Sequence, residues 1–576
     1  MRTQSRWPAI ALLLLLVAGC ATTSLPVASP PAQPALAAAL AAALLTIDGA
    51  QMLRQIETLA SDDFEGRSAG SHGEQLTVAY LIGEFKRIGL EPGNPDGSYV
   101  QRVPLTAHEA EPTAAIAVGG KRIALNFPAD YVAWSYQRQA EVKLQRSPLV
   151  FVGYGVKAPE FQWDDYKNTD LQGKTLVMLI NDPQIPDPKH PDQLDPTMFK
   201  GRAMTYFGRW TYKYEAAAAV GAAGALIVHE TEPAAYPYSV VVNSNSRENF
   251  DIHSVAANPH FPLVPGWLHR DRAKELFAAA GYDFDSAKLA ALQRDFKPLA
   301  LGASIDLSLR KRWRDLDSSN VVGRIEGSDP QLRDEVVIYS AHWDHFGWDP
   351  SLPGSKHQKI YHGAADNASG VAALLQLAQA FQALPQAPRR TLLFIATTAE
   401  ERGLLGAAYY AANPLYPLDK TLADINMDGM NLWGRTRDVE VFGYGNSDLD
   451  DLVVEAARAQ GRVVHADAFA EKGSYYRADH FEFAKVGVPA VYLKGGEDYI
   501  GKPPGFGKDK SDDYTAHHYH RVSDTVRADW DLSGAVEDTQ LLFQVGYAVA
   551  QGDRYPSWKP GNEFAARRDE MLRSRR

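Results

Sequence analysis

The chain has 576 residues, 45% hydrophobic and 22% charged, which is the balance of a folded globular protein rather than a disordered one and enough length for two to four domains. A net charge of -11, with no long Lys/Arg run outside the last ten residues, lacks a nucleic-acid-binding footprint. Cys20 is the only cysteine, so intrachain disulfides are excluded.

Taken from the N-terminus, Arg2 and Arg6 precede an apolar run over 9–19, too short to cross a bilayer as a helix but suited to the h-region of a secretory signal. The run ends in Leu16-Val17-Ala18-Gly19-Cys20, which resembles a bacterial lipobox. That resemblance implies a signal peptide over 1–19 and a membrane tie through lipidated Cys20, stable if the cysteine is multiply acylated. Ala21, rather than Asp, leans toward outer-membrane sorting by resemblance to lipoprotein rules. An ordinary signal peptide with an incidental cysteine is the alternative. Residues 20–43 are Ala/Pro/Ser-rich and read as a tether leading into a helix.

A globular pattern begins near Ile47, and 44–140 are expected to open the main domain. "GEQLTVAYLIGEFKRIGLEPG" has helical apolar spacing with Gly89 near its stop. From 141 to 300 the texture changes: 150–152 and 176–180 read as strands, "NDPQIPDPKHPDQLDP" as a long loop, and "KYEAAAAVGAAGALIVHE" as a helix turning through glycine into a strand. The sequence predicts a small β-rich inserted domain there, with Lys213 to His229 serving packing. In 301–555, strands over 335–340, 391–398, 422–426, 438–442 and 489–493 alternate with helices over 368–384, 404–412 and 448–460, before a last amphipathic helix over 530–551 and a tail over 556–576. The alternation predicts an α/β fold, a mixed central sheet flanked by helices.

Ligands of such sheets gather outside the carboxyl ends of the strands. Here His342 and Asp344 follow one strand, Glu400 and Glu401 another, Asp428 a third, and Asp366 precedes a helix. Each has an ordinary explanation alone: a solvated histidine, a helix cap, a surface charge pair, an Asp-Gly turn. Together they deliver carboxylates and imidazoles to one rim, an expensive arrangement unless cations neutralise it.

"SAHWDHFG", "YHGAADNASGVAALLQLA", "FIATTAEERGLLGAAYY", "INMDGM" and "YHRVSDT" resemble, in order and spacing, the motifs of the M28 family of zinc-dependent peptidases. "LASDDFEGRSAGSHGEQLTVAYLIGEFKRIGLEPG" resembles the start of that catalytic domain, and 141–300 resembles a protease-associated (PA) domain inserted into it. The resemblance implies two divalent metal ions, zinc by preference, held by His342, Asp366, Glu401, Asp428 and His520, with Asp366 bridging. It makes Glu400 the general base, Asp344 the partner that orients the His342 imidazole, and Tyr519 a support for the oxyanion. It leaves His345, His517 and His518 outside the ligand set, and Asp479 and His480 near the rim or structural. Peptide substrates follow, with an aminopeptidase preferred over a carboxypeptidase. A non-catalytic binding protein on the same scaffold and a one-zinc glutaminyl cyclase are the rival readings.

Overall fold

The computed structural model describes residues 33–253 and 261–573. Cys20 and the expected signal segment lie outside the described residues. Five strands carry the architecture: β1 (Val100–Val118), β2 (Leu299–Ile325), β3 (Val336–His342), β4 (Thr391–Thr397) and β5 (Thr421–Asn426). They belong to a 16-stranded mixed sheet whose main path runs Val463–Ala466, Asp438–Phe442, Ala490–Gly495, β5, β3, β4, β2, Glu141–Phe151, Thr175–Leu179, Gly224–His229, Val264–His269 and Tyr131–Ala133.

Every residue of β3, β4 and β5 is buried, as in strands covered on both faces, and polar members pair inside the sheet, the Ser340 hydroxyl donating to Asp424 at 2.8 Å. The period of two divides them between two cores. Val337, Tyr339 and Ala341 face the larger core with the helices Gly49–Leu59, Ser369–Gln382 and Ser533–Gln551. Val336 and Ile338 face the opposite side, against Tyr410 and Phe483 of the helices Leu405–Ala412 and His480–Lys485. Each such side chain, fully removed from water, contributes about 1.5–3 kcal/mol before the cost of ordering it.

β3 is parallel to both neighbours, His342 opposite Thr397 and Ser340 opposite Asn426. The three strands therefore end at one edge. The helix His72–Ile88 starts at Ser71, whose side chain accepts the Glu74 amide, and stops at Gly89 with φ 95°, a left-handed position that glycine occupies without strain.

β2 is the seam of the molecule. Its 321–325 end pairs with β4, its 299–310 end with Glu141–Phe151, and β1 runs antiparallel to it from Ala303–Val118 to Val321–Val100. Beyond the seam, Glu141–Phe151, Thr175–Leu179, Gly224–His229 and Val264–His269 are parallel. Helices Arg270–Ala279 and Phe284–Ala290 cover one face and Trp210–Ala219 the other. This second lobe draws its core from outside the expected 141–300 as well, taking in Ile116, Val118, Leu125 and Tyr131 before it and Leu301 to Leu309 after it.

Among the described residues no single helix is long and apolar enough to cross a membrane. The bent pair Ala35–Leu44 and Gly49–Leu59 passes on length and composition, yet Ala43, Met52, Ile56 and Leu59 are buried in the main core.

Candidate active site

The common edge of β3, β4 and β5 gathers the acids and histidines. His342 closes β3; Glu400 and Glu401 lie in a single 3-10 turn after β4; Asp428 stands two residues past β5. Asp366 comes from the segment before the helix Ser369–Gln382, and His520 from the loop after the helix Phe506–His517. His342 Nε2 lies 3.2 Å from Asp428 Oδ1, 3.3 Å from Asp366 Oδ1 and 3.8 Å from Glu400 Oε2. His520 Nε2 lies 3.0 Å from Glu401 Oε2 and 3.4 Å from Asp366 Oδ2. The two oxygens of Asp366 thus face two different imidazoles.

These side chains are held from behind. Asp524 accepts the amides of Ala365 and Asp366 at 3.0 and 3.1 Å. Asn367 accepts the Gly370 and Gly429 amides and donates to the Met427 carbonyl, each at 2.9 Å, tying the Asp366 segment to the Asp428 segment. Gly363, at φ 57°, has no room for a side chain: a Cβ would stand 2.3 Å from the Asp366 carbonyl oxygen and 2.6 Å from His345 Cγ. Beneath lies the fully buried guanidinium of Arg67, which donates to the carbonyls of Leu59, Trp343, His362 and Gly363 at 2.6–2.9 Å.

Asp344 is buried two residues after His342, as expected, but its closest contacts divide the work. Its backbone oxygen lies 3.1 Å from His342 Nδ1, its carboxylate 3.7 Å from the same nitrogen, and that carboxylate accepts the Glu400 amide at 3.0 Å. Asp344 therefore links the β3 end to the Glu400 turn. His345 enters the cluster too, with Nδ1 2.5 Å from Glu401 Oε1. His345, Asp366 and Glu401 bring ligand atoms within 4.8 Å of one another.

His517 pairs with Asp513 at the surface, and His518 with Ser523 and Arg527, outside the cluster. Asp479 occupies an N-cap position, yet its carboxylate accepts the Thr397 hydroxyl behind the β4 end. His480 is enclosed by the Tyr475 and Tyr492 rings, and burial lowers its pKa to about 3, so it stays neutral.

The electrostatics favour positive charge in the middle of the cluster. Burial opposes the charged form of His520, but Glu401 and Asp366 outweigh it and lift its pKa to about 9. His342 is likewise raised against burial, by Glu400, Asp428 and Asp366. Burial also opposes ionisation of Glu401, and His520 and His345 bring it down to about 2. Glu400 moves the other way: burial, reinforced by Asp428 and Glu401 and only partly offset by His342, raises it well above an ordinary carboxyl. Four carboxylates and three imidazoles, with His520 Nδ1 and His345 Nε2 enclosed and unpartnered, suit divalent cations that accept nitrogen and oxygen donors.

Two cavities open on the cluster. One, about 290 Å³, runs from Asp366, Glu400 and Asp428 past Trp433 to Phe442, Tyr492 and Tyr514. The other, about 120 Å³, lies between the lobes, where Trp210, Tyr236 and Arg209 of the second lobe meet Glu400, Arg402, Arg477 and Tyr519. The second lobe touches the site directly: Arg477 donates to the Ala234 carbonyl at 2.9 Å and Asn243 to the His520 carbonyl at 3.4 Å. The Tyr519 ring stacks on His520 with centroids 3.8 Å apart, and its hydroxyl is held well above the usual phenol range by burial.

Arg67, Asn367 and the second-lobe contacts were outside the sequence expectations. Asp524 had a signal, four residues after His520 in "YHRVSDT". Arg67 had none, because its partners are backbone carbonyls.

Residues 320–544 match the profile of Peptidase family M28. Aminopeptidase NAALADL1 of Mus musculus is 34% identical over 192 residues, 31% of this chain and 24% of that protein. A vacuolar membrane protease of Lachancea thermotolerans is 27% identical over 245 residues, 42% of this chain and 22% of its own length. The chain thus matches about a quarter of the length of these curated relatives. Among solved structures, an aminopeptidase from Aneurinibacillus sp. strain AM-1 has a TM-score of 0.50 at 19% identity, covering 89% of this chain and 96% of that one. That likeness concerns the fold, the mixed sheet flanked by helices.

Proposed function

We propose that the chain is a metal-dependent exopeptidase, an aminopeptidase by preference, in which Glu400 is the general base. The observation that carries this reading is Asp366, one oxygen toward His342 and the other toward His520, with Glu400 free of hydrogen-bonded side-chain partners beside them. His342, Asp366 and Asp428 would hold one divalent ion, and Asp366, Glu401 and His520 the second, zinc by preference. When bound, two such ions lower the pKa of a water and polarise a carbonyl.

The remaining work falls to the protein. Glu400 Oε2 takes a proton from the attacking water and returns it to the departing amine nitrogen, a transfer suited to a carboxyl whose proton affinity is raised by burial. Asp344 keeps the Glu400 turn in register with His342. Tyr519 donates a hydrogen bond from its hydroxyl to the carbonyl oxygen as negative charge develops there. The second lobe, read as a PA-like domain, walls the cleft and limits which chains enter. Cys20, read as a lipidated residue, would hold the enzyme to the outer membrane.

The test is hydrolysis of a panel of aminoacyl and N-blocked peptides before and after exhaustive chelation. Cleavage confined to free-amine substrates, lost with the chelator and restored by zinc, is the expected outcome. Cleavage confined to N-blocked peptides moves the reading to a carboxypeptidase, and full activity without metal rejects it. Tyr519→Phe, which keeps the stacking on His520, is expected to lower kcat about 10²-fold with KM and zinc content unchanged; steady-state kinetics showing a wild-type kcat would remove Tyr519 from the mechanism.

A further inference from the structure

Away from the cleft, three polar side chains from separate segments converge. Asp62 opens the 3-10 turn Asp62–Phe64, His357 opens the turn His357–Lys359, and His362 follows the short strand Ile360–Tyr361. His357 Nδ1 lies 2.7 Å and His362 Nε2 2.9 Å from one oxygen, Asp62 Oδ1, with the two rings 4.6 Å apart.

We propose that Asp62, His357 and His362 bind one exchangeable divalent transition-metal ion, zinc or a close relative, at a site distinct from the catalytic cluster. Two imidazoles and a carboxylate suit zinc, copper or nickel, whereas calcium and magnesium prefer oxygen alone. The three ligand atoms lie within 4.8 Å of one another. Donors around a tetrahedral zinc, at about 2.0–2.1 Å from it, stand roughly 3.3 Å apart, so Asp62 has to draw back by roughly half an ångström. The Asp62 and His357 side chains are 47% and 60% exposed and can adjust.

His362 is the fixed member. Its side chain is 1% exposed and its carbonyl is gripped by Arg67 at 2.6 Å. Its Nε2 contacts the Asp62 carboxylate, which only accepts, so a bound ion takes the place of the Nε2 hydrogen and the neutral ring carries its hydrogen on the enclosed Nδ1. Burial opposes ionisation of Asp62, but the His362 and His357 contacts outweigh it. Lys356, the nearest cation on the same segment, is turned to Glu65 at 2.7 Å.

Such an ion pins the Gly347–Trp348 and Ile360–Tyr361 hairpin to the turn that leads into Arg67. With three protein donors, it keeps coordination positions for water and exchanges with solvent.

The test counts zinc by elemental analysis in the full chain, equilibrated across a range of free zinc, for wild type, His357→Ala and Asp62→Asn. Tm measured in chelator verifies that all three are folded. Wild type is expected to bind one zinc more than either variant at saturation, and to show a cobalt(II) absorption band that both variants lack. Equal counts and identical cobalt spectra in the three folded proteins would overturn the site. The readout is a difference between proteins that share the catalytic cluster. Failure of the peptidase reading would change all three totals and leave that difference standing.

Discussion

Glu400→Gln is expected to lower kcat by about 10²–10⁴-fold while the protein keeps its zinc and its fold. Glutamine preserves the size of the side chain, and the backbone amide that Asp344 accepts at 3.0 Å is untouched, so the turn holding Glu401 stays in place. What is lost is an oxygen able to carry a proton. Wild-type Glu400 sits where burial and the neighbouring Asp428 and Glu401 charges favour its protonated form. Those influences are what a general base near neutral pH needs, since a carboxylate with ordinary acidity returns protons poorly. Single-turnover kinetics with matched zinc analysis check the expectation. A variant retaining more than a tenth of wild-type kcat would show that proton transfer runs through another group, and a variant that loses zinc would make Glu400 a ligand instead.

Arg67→Met is expected to destabilise the main lobe by about 3–5 kcal/mol, the range found when one partner of a buried charge network is removed. Four carbonyls lose their donor together, at Leu59, Trp343, His362 and Gly363. The acids above, Asp344, Asp524, Asp366 and Glu401, lose a nearby positive charge. Burial brings the Arg67 pKa down only to about 10, so the guanidinium remains charged at neutral pH. Lysine is a poor substitute, because three donors on one nitrogen cannot reproduce a planar fork spanning four carbonyls. Denaturant titrations of wild type, Arg67→Met and Arg67→Lys measure the loss, and equal midpoints for all three would deny Arg67 its structural weight.

What the sequence disclosed follows from where the physics is local. β3, β4 and β5 were legible because strands buried on both faces carry apolar clusters such as 336–339 and 392–396 instead of a polar alternation. The acids and histidine of the candidate site were legible because they sit at or just past the ends of those runs: His342 at the end of β3, Glu400 and Glu401 after β4, and Asp428 after β5. β1 was not legible: Pro104 and Pro112 interrupt it, and its alanines blur the alternation. The helix Phe506–His517 carries lysines and aspartates with no apolar stripe, so its period is silent although it delivers His520. The meeting of Asp62 with His357 and His362 depends on tertiary packing alone. The extent of the second lobe was hidden for the same reason as β1, since its core begins within that strand.

The seam made by β2 also sets the order in which the molecule can be completed. β1 is synthesised early, yet the strand that satisfies one of its edges over Val100 to Val118 lies at Ala303 to Val321, after most of the second lobe. Neither hydrophobic core can close until that late segment has arrived, and contacts so distant along the chain are slow to form. Meanwhile β1 offers an unpaired edge. Glu109 and Glu111, which finally meet Arg312 and Arg310, give nascent copies like charges that repel one another along that edge. A chain interrupted before Val321 therefore leaves both cores unfinished, and excising 141–300 would strip one side of β2 rather than release a separable module.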